Sequence, residues 1–287
     1  MILIENSSLK LSIDPELGAS IWDISAKVRG KWQTICPGPK EGRSIGDAKA
    51  AAMFVMVPFA NRVRGNLIQD CERSWHMSAN SNEPFALHGT GWEHPWKVTS
   101  HSSNACNLHL DIMGDYPLCF GADFAIELFG TSIRFDLNLT NTHSEDIPAG
   151  MGFHPYFFRN SNTELQFEAD GFWQEGDDYL PTSYHNLATA DGYAMSRTLP
   201  EEWQNTCYSA WNGQAVISQP DLGYQVEITG TPDLNHLMVY SSPELDRFAV
   251  EPQSHLSGET HVTKNGLRRL GPDQIWRQSM TLTIDEI

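Results

Sequence analysis

Four short stretches combine ionisable or polar side chains with glycine, proline and aromatic residues. They are Pro58-Phe-Ala-Asn61-Arg62-Val-Arg64-Gly-Asn66, Leu87-His88-Gly-Thr-Gly-Trp92, Gly152-Phe-His154-Pro-Tyr156-Phe157 and Val250-Glu251-Pro-Gln253-Ser254. Pro155 holds the residue before it extended or in a turn, which fixes the imidazole of His154 on stiff backbone. Phe153, Tyr156 and Phe157 would restrict water around it. An imidazole with a near-neutral pKa is the natural proton donor or acceptor at pH 7. Glu251 sits in the apolar run Phe248-Ala-Val-Glu-Pro, where a strand is expected to end at Pro252. A carboxyl group there is either a satisfied ion-pair partner or a general base whose pKa burial has raised. Arg62 could clamp oxygen atoms or pair with a surface acid. Taken singly, each of these residues, His88 included, suits a structural role as well as a chemical one.

The elements that must position them are strands. Leu9, Leu11 and Ile13 alternate with polar neighbours. Phe120, Ala122, Phe124, Ile126 and Leu128 do the same, and after Gly130-Thr131 the pattern resumes as Ile133, Phe135, Leu137 and Leu139. Period-two spacing buries one face of a strand, and two such runs around a glycine-containing connection predict an antiparallel hairpin. Shorter runs follow at Leu108–Ile112, Leu165–Ala169, Tyr224–Ile228, Leu237–Val239 and Met280–Ile284. Helical signals are weak. Asp47–Met56 contains helix formers but is stopped by Pro58, and Leu199–Gln204 could form one turn. No helix is long enough for a crossover between parallel strands, so a doubly wound α/β sheet is not expected. The expectation is an all-β chain, one large antiparallel β-sandwich domain over residues 1–287 with few short helices and long loops.

With 19 Lys+Arg against 36 Asp+Glu among 287 residues, the net charge is −17. Such a surface repels nucleic acid and anionic membrane and suits a neutral or cationic small ligand. The opening residues lack the basic and apolar segments of a signal peptide, and no apolar run reaches the ~18 residues of a membrane helix. Cys36, Cys71, Cys106, Cys119 and Cys207 are odd in number and unpaired in spacing, as expected of reduced thiols in a cytoplasmic protein. The 11 histidines form neither H-E-x-x-H nor H-x-H, so no metal is expected. No Gly-x-Ser-x-Gly marks a serine nucleophile. Glycoside hydrolysis would need paired carboxylates, and no partner for Glu251 is evident.

Jointly and in this order, Asn61-Arg62-x-x-Gly, His88-Gly, Gly-x-His154-Pro-Tyr-Phe and Val-Glu251-Pro resemble the aldose 1-epimerase (galactose mutarotase) family over about residues 10 to 285. The likeness is greatest to its shorter bacterial members of unassigned substrate. It implies that family's large β-sandwich, with His154 as catalytic acid and Glu251 as catalytic base. Asn61, Arg62 and His88 would bind the sugar. The resemblance implies no cofactor, only a small-molecule sugar as partner.

Two positions depart from the family pattern. Where an aspartate commonly binds sugar hydroxyls, Trp203-Gln-Asn205-Thr-Cys-Tyr208 offers Asn205, and Met238 replaces a glutamine before Val239-Tyr240. An amide keeps an acceptor but loses the anion; methionine keeps neither. These changes bear on which hydroxyl pattern is recognised.

The implied reaction interconverts α and β anomers by ring opening and reclosure, with Glu251 ionised and His154 protonated at the start, which predicts a bell-shaped pH profile around neutrality. Two other functions are compatible with the residues. A hexose-phosphate 1-epimerase would need basic groups such as Arg64 or the cluster Lys264-Asn-Gly-Leu-Arg268-Arg269 around the phosphate. A carbohydrate-binding module would have no need of an acid–base pair. Among 9 tryptophans, Trp92, Trp96, Trp173 and Trp211 are candidates to stack against a sugar ring.

Overall fold

In a computed structural model of the chain, residues 1–39, 47–70, 73–114, 117–187, 192–263 and 266–287 are described. Cys71 and Lys264 lie outside the described residues. Two large sheets carry the fold, and every ladder in them is antiparallel. The first runs in the order Ile2–Glu5, Leu9–Asp14, Ser20–Val28, Met53–Met56, Gly152–Phe158, Arg247–Gln253, His236–Ser241, Gln204–Ser209, Gly171–Glu175, Pro181–Asn186, with Lys31–Cys36 also pairing with Ser20–Val28. The second runs Arg197–Thr198, Glu164–Phe167, Gln214–Gln219, Tyr224–Gly230, Ile275–Glu286, Ser132–Asn141, Cys119–Phe129, Ala105–Met113, Lys97–His101. The expected hairpin is present: Phe124 faces Leu137 and Ile126 faces Phe135 across it.

Period-two alternation builds the layer between the sheets. Leu11, Val55, Phe153 and Val250 from the first sheet meet Phe124, Phe135, Leu137 and Met280 from the second in one apolar core. Burying each of these side chains contributes about 1.5–3 kcal/mol. The central strands Met53–Met56, Gly152–Phe158 and Arg247–Gln253 are buried on their outer face as well, under the loops that follow Met56. That outer face is where the polar residues of interest emerge.

Three local expectations are corrected. Asp47–Met56 is not a helix: Asp47 Oδ1 accepts the Lys49 N–H at 3.0 Å to cap a single 3₁₀ turn, Ala48–Ala50, and a strand begins at Met53. Met53 and Val55 point into the intersheet core while Phe54 and Met56 pack on the opposite side, so burial on two faces overrides helix propensity. No turn of helix forms at Leu199–Gln204; Leu199 is drawn into the core and a strand starts at Gln204. Pro252 does not end its strand, which continues to Gln253. Helical structure among the described residues amounts to short 3₁₀ turns, and none is long and apolar enough to cross a membrane.

Candidate active site

His154 and Glu251 occupy neighbouring strands of the first sheet. Gly152 faces Gln253 and Tyr156 faces Ala249, a register that sets His154 directly opposite Glu251. Alternation then points both side chains outward while Phe153, Phe157, Phe248 and Val250 fill the core. Their Nε2 and Oε1 atoms stand 3.2 Å apart, and both residues are almost wholly buried. The imidazole is clamped between rings: stacked on Phe54 at 4.5 Å, edge-on to His88 at 5.0 Å, and tilted against Tyr156 at 4.8 Å between centroids.

Burial disfavours the charged form of each partner. Desolvation pushes the Glu251 carboxyl up to about 8, held back partly by the positive charge of Arg62. The same effect pulls His154 down to about 3, with Arg247 and Arg62 adding to the fall. Arg247 sits beneath, its guanidinium 4.0 Å from the Tyr156 ring centre and donating to the carbonyls of Ala50 and Ala51 at 2.8 and 3.2 Å. At neutral pH the pair therefore holds one proton between its two members. Oε2 of Glu251 is fully buried with no hydrogen-bond partner among the described residues. Such an atom carries a desolvation penalty that a bound hydroxyl would relieve.

Asn61 and His88 come from two loop segments tied to each other. The Asn61 N–H donates to His88 Nδ1 at 3.1 Å, and the His88 N–H donates to the Asn61 carbonyl at 3.0 Å. With Nδ1 accepting, the single proton of the neutral ring sits on Nε2. Burial lowers the His88 pKa well below its ordinary value, and the charges of Arg62 and Lys49, and of His154 when it is protonated, push the same way. Both residues adopt left-handed backbone, φ +57° and +59°. Gly89 follows at φ +70°, and a Cβ built there would overlap the Val57 carbonyl, so the glycine after His88 is a steric requirement. Ser257 Oγ and the Arg62 N–H both donate to Asn61 Oδ1, at 2.7 and 2.9 Å, leaving Nδ2 as the end of the amide free to donate to a ligand.

Arg62 does two things at once. It forms a bidentate pair with Glu83, Nε and Nη2 lying 2.6 and 2.8 Å from the carboxylate oxygens, and it still lines the cavity. Asn205 forms the far wall from the strand Gln204–Ser209, its Nδ2 donating to Glu175 Oε1. All six residues singled out in the sequence, His154, Glu251, Asn61, Arg62, His88 and Asn205, line one cavity of about 350 Å³. Ligand pockets run roughly 300–1,000 Å³. A larger cavity of about 920 Å³, walled by Trp75, Met77, Ile112 and Leu118, contains none of them. Size is therefore a poorer guide here than the position of the reactive groups.

The aromatic expectation is corrected. Trp96 and Trp211 are buried in the intersheet core, Trp92 lies under the Lys49 ammonium at 3.7 Å, and Trp173 packs against the cluster of Cys207, Met238 and Leu256. The tryptophan that lines the cavity is Trp203, 45% exposed and edge-on to Tyr240 at 5.1 Å. Tyr240, Asp47, Lys49 and Glu83 also line it without having stood out in the sequence. A tryptophan two residues before Asn205 was the available sign. Met238 sits behind the cavity wall, beside Cys207 and the strand of Glu251, and lines only a small void there. Cys36, Cys106, Cys119 and Cys207 are free thiols. Among the described residues no group of three or more His, Cys, Asp or Glu is placed to hold a metal.

The two-sheet antiparallel sandwich matches the fold of galactose mutarotase-like proteins. The chain belongs to the aldose 1-epimerase family, whose model matches residues 1–283. It is 30% identical over 293 residues to the uncharacterized protein YphB of Escherichia coli K12, covering 98% of each. It superposes on the crystal structure of a "putative aldose 1-epimerase" from E. coli K12 with a TM-score of 0.90 and 29% identity, covering 99% of this chain and 98% of that one. A GalM/aldose epimerase homologue from C. elegans shares the fold at a TM-score of 0.82 and 17% identity, with 100% and 98% coverage.

Proposed function

We propose that the protein is an aldose 1-epimerase that interconverts the anomers of a free, uncharged aldose, with Glu251 as base and His154 as acid. The observation that carries this reading is the 3.2 Å contact between Nε2 and Oε1 at the floor of a sugar-sized cavity. Burial favours the uncharged arrangement, so before a sugar binds the shared proton rests on Glu251. Transfer across the contact to His154 gives carboxylate and imidazolium with no proton entering from solvent. Arg62 and incoming sugar hydroxyls stabilise the carboxylate.

Glu251 then takes the proton of the C1 hydroxyl. The electron pair left on that oxygen forms the carbonyl, the bond from C1 to the ring oxygen breaks, and His154 delivers its proton to the ring oxygen. Rotation about C1–C2 presents the other face of the aldehyde, and the two transfers run backwards to close the ring. His88 Nε2–H and Asn61 Nδ2 supply donors to hydroxyls, Asn205 Oδ1 an acceptor. Loss of optical rotation from freshly dissolved pure anomers, followed by polarimetry across a panel of aldoses, tests the reaction. Rates equal to the spontaneous ones for every aldose would refute it.

The charges around the cavity argue against a phosphorylated substrate. Lys49 is paired with Asp47 at 3.2 Å and Arg62 with Glu83, so among the described residues no cationic excess awaits a dianion. Arg64 donates to the Pro181 carbonyl, Arg268 pairs with Asp233, and Arg269 pairs with Asp70; none lines this cavity. The expected result is a kcat/KM for glucose at least about tenfold above that for glucose 6-phosphate, the effect of roughly 1.4 kcal/mol of unfavourable charge. A preference for the phosphate ester would reverse the assignment.

The proton count sets the pH profile. One proton on the pair is the working state. Above about 8 that proton leaves and the acid is lost; a second proton is added only towards about 3, which removes the base. The bell expected from ordinary values therefore broadens into a plateau, with kcat/KM flat from pH 5 to 7 and falling above about 8. Rates corrected for the uncatalysed reaction check this, and a limb near 6.5 would mean that the histidine titrates as if exposed.

A further inference from the structure

We propose that Glu175, which does not line the cavity, is the positioning residue that presents Asn205 to the substrate as a hydrogen-bond acceptor. This rests on the aldose reading of the cavity. A primary amide can offer a ligand either its oxygen or its NH₂ group, and nothing in its own chemistry chooses between them. Here Glu175, on the strand Gly171–Glu175, makes the choice. Its Oε1 accepts from Asn205 Nδ2, and its Oε2 accepts from Trp203 Nε1 at 3.0 Å. An ionised carboxylate accepts only, so it holds the NH₂ end and leaves Asn205 Oδ1 as the atom available to the cavity that Asn205 lines.

The same carboxylate fixes the rim. Trp203 is 45% exposed, yet its indole is pinned by the bond to Glu175 and by edge-on contact with Tyr240 at 5.1 Å and a tilted contact with Tyr179 at 5.9 Å centroid separation. Tyr179 in turn lies 5.3 Å from the Arg62 guanidinium. One residue outside the cavity therefore sets both the polarity of a wall and the placement of an aromatic edge. The specificity that follows is for an aldose with a hydroxyl donor facing Asn205.

The test is a pair of single substitutions and their combination, assayed by polarimetry on the aldose that the wild type turns over fastest. Glu175→Gln keeps the shape but offers one acceptor where two are needed, and it frees the Asn205 amide to turn. KM is expected to rise roughly 2- to 10-fold, the scale of one hydrogen bond, with kcat within about 2-fold. Asn205→Asp sets two carboxylates against each other and raises KM similarly. In the double variant Glu175→Gln/Asn205→Asp, the introduced amide can donate its Nε2–H to the new carboxylate while its Oε1 accepts from Trp203, so KM should return to within about 2-fold of wild type. Singles that lower kcat and melting temperature while leaving KM unchanged, or a double variant as impaired as both singles together, overturn the proposal. A ligand-free measurement separates this from failure of the reaction itself. The side-chain amide NMR signal of Asn205, assigned by its absence in Asn205→Asp, should shift in Glu175→Gln. An unmoved signal overturns the contact even if no aldose proves to be a substrate.

Discussion

Glu251→Gln is expected to lower the catalysed anomerisation rate by about 10²- to 10⁴-fold, the usual contribution of a positioned proton-transfer group. The amide is nearly isosteric and can still occupy the place opposite His154, but it can neither take the C1 hydroxyl proton nor share one with the imidazole. Loss of chemistry and loss of fold are separable because their signs differ. A carboxyl with a folded-state value near 8 and an ordinary unfolded value makes the folded form bind the extra proton between those limits, so stability falls as pH rises through that window. Glutamine removes this liability. The variant should melt no lower than wild type at pH 5 and higher at pH 8, while polarimetry shows it nearly inactive. His154→Asn should lose activity on the same scale. Activity within threefold of wild type in both would remove this pair from the mechanism.

Gly89→Ala is expected to be the most damaging single change outside the reacting pair. The left-handed backbone costs a residue with a Cβ about 1–2 kcal/mol. In addition, the methyl would overlap the Val57 carbonyl, which itself accepts the Thr90 and Gly91 N–H groups at 2.9 and 3.0 Å. Relief requires the turn to move away from Val57, taking His88 with it and breaking its two bonds to Asn61. A loss of about 3 kcal/mol or more in denaturant unfolding is expected, as befits backbone strain added to a steric clash. The folded fraction should show a raised KM as well, because His88 and Asn61 are displaced together. Unfolding parameters and KM both at wild-type values would mean that the turn accommodates a side chain.

Legibility from sequence follows the burial pattern. Strands solvated on one face, such as Leu9–Asp14 and the hairpin Cys119–Phe129 with Ser132–Asn141, alternate cleanly and are recognisable. The strands that carry the chemistry are buried on both faces, which erases alternation: Met53–Met56 resembles a helix, and the His154 and Glu251 stretches resemble loops at strand ends. Five of the six candidate site residues stand out through ordered motifs and Asn205 only as a departure from the family pattern, whereas their convergence depends on a strand order that no local pattern encodes. Glu83 and Glu175 act through partners 21 and 30 positions away in the chain, Arg62 and Asn205, and so leave no local signature.

The proposed reacting pair hangs on the register between two adjacent strands, while Asn61, Arg62 and His88, which would meet the sugar's periphery, hang on connections at the rim. The distance between imidazole and carboxyl is thus set by the pitch of the ladder, about 4.5–5.5 Å between facing residues, and rim segments can lengthen, shorten or exchange without altering it. Divergence in such a scaffold separates cleanly into two kinds: exchanges at the periphery retune which sugar is admitted, and a one-residue slip between the central strands ends turnover for all of them.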